Sequence, residues 1–192
     1  MLGVFSVNIQ GKVFDKNRKG FIVGLGVGGH STKLITRFDR VTTSFIDGKF
    51  SMVTDGTKSN TESIFGVFSS VKIGYGFTNQ FLVYYLRDAA WYSINNTKQA
   101  SGIMGIGTSY YFKPDSQTFF VSLGLGLGDQ TYVDTSTEPR FGSAICVGLG
   151  FEFKPRLSLE TKFLKNLTKD KDLWNYENEV DSFSMSLNYL WY

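Results

Sequence analysis

Large apolar residues recur at every second position through much of this chain, and that period decides what it can fold into. In TFFVSLGLGLGDQTYV, 118–133, Phe119, Val121, Leu123, Leu125 and Leu127 share one parity, while Phe120, Ser122, Gly124, Gly126 and Gly128 share the other. Successive side chains of a strand point to opposite faces, so one face is bulky and apolar and the other mostly small or polar. RFGSAICVGLGFEFK, 140–154, places Phe141, Ile145, Val147, Leu149, Phe151 and Phe153 on one face against Gly142, Ala144, Cys146, Gly148, Gly150, Glu152 and Lys154. Residues 64–78 do the same, with Phe65, Val67, Val71, Ile73, Tyr75 and Phe77 opposite Lys72, Gly74 and Gly76.

This pattern disposes of a competing motif. GLGVGG, 24–29, fits G-x-G-x-x-G. A dinucleotide loop needs a helix directly after it and an acidic residue about 20 positions on. The following HSTKLITRFDRV has no helical apolar stripe, and Asp47 falls in a turn-like IDG. Glycine pairs and triplets recur at 74–76, 105–107, 124–128 and 148–150, which asks for a repeated structural cause rather than one phosphate site.

Eight alternating segments are expected, at 19–35, 61–77, 80–93, 99–113, 117–132, 140–154, 156–168 and 180–192. Their connections alternate between short (78–79, 114–117, 154–156) and long (36–60, 133–139, 169–179, and 94–98 if its flanking strands fray), with Pro114 and Pro155 in short turns. Several segments carry ten or more alternating residues, the length of a tilted strand crossing hydrocarbon. Open strand edges in lipid would leave backbone groups unpaired, so the sheet must close. The expected fold is all-β: an eight-stranded antiparallel up-and-down transmembrane β-barrel over 19–192, with short periplasmic turns and longer extracellular loops. Eight strands leave an interior just wide enough for side chains to fill, and glycine on the inner face makes room for large neighbours.

Phe119, Val121, Leu123, Leu125, Ile145, Val147, Leu149, Leu187, Tyr189 and Trp191 are the expected lipid-facing residues. Tyr75, Phe77, Phe81, Tyr110, Phe112, Phe151 and Phe153 lie near the short turns, and Trp91, Tyr92, Tyr132 and Trp174 toward the long loops, as two aromatic girdles would.

The last segment, SFSMSLNYLWY, alternates Phe183, Met185, Leu187, Tyr189 and Trp191 to the end of the chain. With the eight-segment pattern, this resembles the small eight-stranded bacterial outer-membrane barrels, the group of OmpX, OmpW and the membrane domain of OmpA. Tyr192, appended on the other parity, departs from that family's terminal signal. The resemblance implies the bacterial outer membrane, with outer-membrane lipid, lipopolysaccharide and the insertion machinery as partners. It implies no single activity.

Residues 1–18, MLGVFSVNIQGKVFDKNR, fall outside the barrel. They read as the tail of a signal peptide cleaved near Gln10–Gly11, as a short periplasmic tail, or as an extra alternating strand through Phe5, Val7 and Ile9. Lys12, Lys16, Arg18 and Lys19 then sit at the periplasmic start of the first strand.

Lys72, Glu152, Lys154, Glu160 and Lys162 have inward parity and are expected to form an interior polar network. Arg87 is expected to join them, with Asp88 outward, although YYLRDAAWY resists a simple parity. His30, the one histidine, is expected at the outer rim of the inner wall. Some small outer-membrane barrels modify lipid A with histidine and serine, but no motif here matches theirs residue by residue. His30 and Ser31 point to opposite faces and form no dyad. One histidine and one cysteine, Cys146, give poor support to a metal site, and no cofactor is expected. The formal charge of +3, without a basic stripe, argues against nucleic acid.

The expected function is a non-enzymatic outer-membrane barrel with a structural role, or one in adhesion and ligand binding through its external loops. A narrow or lateral channel for small or apolar solutes is the first alternative, and a lipid A-modifying enzyme the second. The first loop is expected to continue as a hairpin with its turn at 47–49. The fourth carries Asp170, Asp172, Glu177 and Glu179 around Trp174 and Tyr176.

Overall fold

The computed structural model describes residues 17–46, 49–94, 96–133, 138–169 and 177–192. They form eight strands: β1 (Gly20–Ile46), β2 (Lys49–Gly76), β3 (Phe81–Ile94), β4 (Thr97–Tyr111), β5 (Thr118–Tyr132), β6 (Arg140–Lys154), β7 (Leu157–Lys169) and β8 (Glu177–Trp191). Each strand pairs antiparallel with its sequence neighbours, and β8 returns to β1. The barrel is closed, as the alternating pattern requires, and no helix occurs among the described residues.

Closure puts the two parities on opposite sides of the wall. On β5, Phe119, Val121, Leu123, Leu125 and Leu127 are exposed on the outer surface. Their alternates Phe120, Ser122 and Gly124 are buried inside. Ile145, Val147 and Leu149 on β6 and Leu187 on β8 repeat that exposure, while Tyr189 and Trp191 are half-buried against each other at 4.5 Å. The interior is reserved for a mixed set: Ile22, Leu82, Tyr84, Leu86, Ile103, Tyr111 and Phe120 pack with buried serines, carboxylates and lysines. Glycine fits the largest of these. A Cβ on Gly150 would run into the Phe120 ring, and Phe120 stacks in turn on Tyr111 at 4.7 Å. An interior void lined by Lys72, Tyr84, Ser109, Tyr111, Ser158 and Asn188, among others, measures about 10 Å³, room for about one water molecule.

The two ends differ. Short turns join β2–β3, β4–β5 and β6–β7 at one end, where Tyr75, Phe77, Phe81, Tyr110, Phe112 and Phe119 ring the outer surface. At the other end β1 and β2 outrun the barrel. β1 pairs with β8 only from Val23 to Arg37, and β2 pairs with β3 only from Val67 to Gly76. Beyond those limits, among the described residues, the two strands pair only with each other, to Ile46↔Lys49. The first long connection is therefore a strand hairpin, with its turn residues 47–48 outside the described set.

Two expectations at this end are corrected. The connection at 94–98 is not long: β3 runs to Ile94 and β4 starts at Thr97, with Asn96 taking up a left-handed φ of 65°. Tyr92 does not join an outer girdle; it is buried, on the inner parity of β3. Trp174, the acidic stretch of the fourth loop at 170–176 and the reading of 1–16 lie outside the described residues.

Candidate functional site: the barrel interior

The interior polar groups form three tiers. The lowest, at the short-turn end, centres on Arg18, just before β1. Its side chain is 2% exposed. Nε and Nη2 donate to the two Glu152 oxygens at 3.2 and 2.8 Å. Nη1 and Nη2 also donate to backbone carbonyls of Asn79, Lys113, Pro114 and Asp115 at 2.8–3.3 Å. The guanidinium lies 4.0 Å over the Tyr111 ring. Tyr192 completes the tier: its hydroxyl donates to Glu152 at 3.4 Å and accepts from the Arg156 amide at 2.9 Å. The terminal tyrosine off the family's parity is thus an interior residue.

The middle tier is built on Glu160, which is fully buried. It accepts from Lys72 at 2.9 Å, from Ser122 at 2.7 Å and from Asn188 at 3.4 Å. Lys162 lies 3.6 Å from the same carboxylate and donates to Asp88 at 2.7 Å and Ser70 at 3.4 Å. Two lysines and two carboxylates balance, which is the condition under which charges persist in a narrow, mostly dry lumen.

The upper tier holds His30, also buried. His30 faces Gly66 on β2, and its Nε2 reaches across that glycine to the Trp91 carbonyl on β3 at 3.1 Å. A Cβ on Gly66 would meet Nε2 at 2.7 Å, so the glycine is what permits the crossing. A carbonyl only accepts, so Nε2 carries the proton and Nδ1 is left as an acceptor. Nδ1 takes the Thr32 hydroxyl at 2.7 Å, and Thr32 Oγ1 accepts from Ser182 at 2.7 Å. Tyr92 packs edge-on, 6.0 Å away. The arrangement is a hydrogen-bonded chain of buried groups. The imidazole is oriented by a backbone carbonyl rather than a carboxylate.

Lys72, Glu152, Glu160 and Lys162 sit inside the barrel, with the partners given above. Arg87 and Lys154 do not, and both inward assignments are corrected. β3 pairs regularly with β2 and β4, with no bulge among the described residues, and turns Leu82, Tyr84, Leu86 and Asp88 inward. Arg87 therefore faces out. It crosses β4 to grip Asp129 of β5 with two bonds, at 2.6 and 2.7 Å. The inward charge on β3 is Asp88, which Lys162 neutralises. Lys154 follows a register shift at Glu152/Lys154, next to a turn where Arg156 takes a φ of 73°, and the shift delivers it to solvent. A second outer-face pair, Lys165 with Glu179, lies toward the long-loop end.

Sequence reasoning missed Arg18, Asp88 and Tyr192 as interior residues. Tyr192 had a usable signal, its inner parity. Arg18 had none, because it precedes the first alternating strand.

No protein-family model and no curated protein matches the chain. Solved structures do. The chain is similar to Ail, the attachment invasion locus protein of Yersinia pestis, with a TM-score of 0.52 and 13% identity, covering 90% of this chain and 99% of that one. It folds as the small outer-membrane barrels do. Neisserial surface protein A gives a TM-score of 0.51 and 14% identity over 89% of this chain and 97% of that one. At these identities the likeness establishes the fold. Among the described residues, no group of three or more His, Cys, Asp or Glu side chains is placed to hold a metal ion.

Proposed function

We propose that this chain is a bacterial outer-membrane barrel with a structural and adhesive role, its contacts with other molecules made by the β1–β2 hairpin and the neighbouring loops. The observation that carries the reading is that hairpin. Past Arg37 and before Val67, its strands pair with each other and with no third strand among the described residues. Unpaired edges of this kind are templates for another strand or peptide. The location rests on the outer surface, where Leu123, Leu125, Val147, Leu149 and Leu187 form an apolar band. Exposed apolar area on that scale is suited to hydrocarbon and unsuited to water. The lipopolysaccharide and insertion-machinery partners belong to the same proposal.

The test has two parts. The full chain, expressed in a Gram-negative host, is expected to sediment with outer membranes, resist alkaline washing and need detergent for release. Recovery as a soluble monomer overturns the location. Cells displaying it are then compared with cells displaying a variant whose residues 40–58 are replaced by a short Gly-Ser turn, at matched surface levels, for adherence to epithelial monolayers. A loss of adherence in the variant is expected; equal adherence removes the hairpin from the function.

A further inference from the structure

The tier at the short-turn end does something the closed strands do not require. Every ladder of the barrel is complete without Arg18, which lies before β1. Yet Arg18 gathers acceptors from three separate places: the β2–β3 turn at Asn79, the β4–β5 turn at Lys113, Pro114 and Asp115, and the end of β6 at Glu152. A guanidinium has five N–H donors in a planar fork. Here Nε, Nη1 and Nη2 all donate into this ring of acceptors, and the plane rests on Tyr111. Through Glu152 the same group is joined to Tyr192, next to the last residue of β8. One side chain thus ties the N-terminal end of the chain to turns and strand ends spread around the barrel's mouth.

We propose that Arg18 is a late-closing latch, which docks after the strands have paired and holds the short-turn end of the barrel shut. The order follows from chain position. Its hydrogen-bond acceptors lie 61 to 134 residues downstream. The carbonyls that receive it converge only once the β2–β3 and β4–β5 turns stand side by side with β6. An interaction absent from the folding transition state slows unfolding and leaves the folding rate alone. The carboxylate it neutralises is buried, so losing the latch leaves an uncompensated charge rather than a solvated one.

The experiment compares the full wild-type chain with Arg18→Ala, Arg18→Lys and the double variant Arg18→Ala/Glu152→Gln, refolded into lipid vesicles. Urea-driven unfolding and refolding are followed by tryptophan fluorescence. Arg18→Ala is expected to unfold at least about tenfold faster and to refold within about twofold of wild type. Arg18→Lys is expected to fall between wild type and Arg18→Ala, since a lysine keeps a cation beside Glu152 but cannot fork to the turn carbonyls. The double variant is expected to recover part of the loss, because it removes the orphaned carboxylate. Slowed refolding with unchanged unfolding, or failure of Arg18→Ala to fold at all, overturns late closure. Unfolding within about twofold of wild type overturns the latch itself. An arginine-specific protease supplies a second readout that needs no change at residue 18. The folded wild type is expected to resist cleavage after Arg18, and Glu152→Gln to be cut at least about tenfold faster, since a neutral amide grips a guanidinium less tightly than a carboxylate does. Wild-type cleavage after Arg18 as fast as in urea refutes the docked side chain. None of these measurements depends on what the hairpin binds.

Discussion

Lys162 on β7 donates to Asp88 on β3 at 2.7 Å, and those two strands stand opposite each other in the eight-strand ring. The contact therefore spans the lumen. Beside it Lys72 on β2 meets Glu160 on β7 at 2.9 Å. Side chains that reach across a barrel and pair there occupy the path a solute would take.

The first prediction concerns conduction. Purified barrels in planar bilayers are expected to show no steady current at neutral pH. A stable single-channel conductance at low voltage would favour the channel alternative.

A second prediction separates charge from packing at the same contact. Lys162→Met leaves Asp88 buried without its main cation and is expected to destabilise the barrel by about 3–5 kcal/mol. Adding Asp88→Asn removes the stranded charge and is expected to restore more than half of that loss. Denaturant unfolding of both single variants and the double variant checks this. Independent, additive losses would mean that the two groups are not coupled.

The outer face makes a third prediction. Leu123 is exposed on the outer wall, near the middle of β5. Leu123→Lys is expected to cost about 2–4 kcal/mol on insertion into a bilayer, whereas Leu123→Phe is expected to be nearly silent. Refolding yield into vesicles, read from the mobility of unheated samples on gels, reports it. Equal yields for the two variants would remove the apolar outer face from the membrane.

The sequence carried the fold and most of the interior set, for one reason. Period two maps residue number directly onto wall side wherever pairing is regular, so Leu123 and Ser122, or Leu187 and Ser186, fall on opposite sides without further information. It failed where local parity was ambiguous or the geometry was not local. At Arg87 and Asp88 either facing leaves one charge to explain, and only the strands across the lumen show that Asp88 has a cation waiting there. Arg18 finds its partners more than sixty residues away, outside any alternating pattern. Glycine's second use was not legible either. The inner parity of Gly142 is legible, but its neighbour is not: a Cβ there would drive into the Leu167 backbone carbonyl of β7. It is a place for close backbone approach rather than a vacancy for a larger side chain.

The last prediction separates a structural histidine from a catalytic one. His30 lies in a chain that a hydrolase could use in form: a protonated Nε2, and an Nδ1 that accepts from a hydroxyl, Thr32, at 2.7 Å with Ser182 behind it. Its surroundings speak for structure. His30, Thr32 and Ser182 are all buried at 5% exposure or less, and Nε2 is held by a backbone carbonyl. A general base needs its nucleophile within reach of a substrate as well as of itself. If the chain only fastens β1 to β3 and β8, then His30→Ala removes a tie but leaves a small cavity and free hydroxyls that can bond to each other. Gly66→Ala is harsher. The new methyl would overlap the Trp91 carbonyl oxygen and sit 2.7 Å from Nε2, so it must displace the β3 backbone as well as crowd the ring. The expected order of stability is therefore wild type, then His30→Ala, then Gly66→Ala, measured by thermal unfolding in detergent. Mass spectra of lipid A from cells carrying wild type, His30→Ala or no barrel are expected to coincide. Acyl chains removed or added with the wild type alone would make Thr32 or Ser182 the nucleophile and His30 its base.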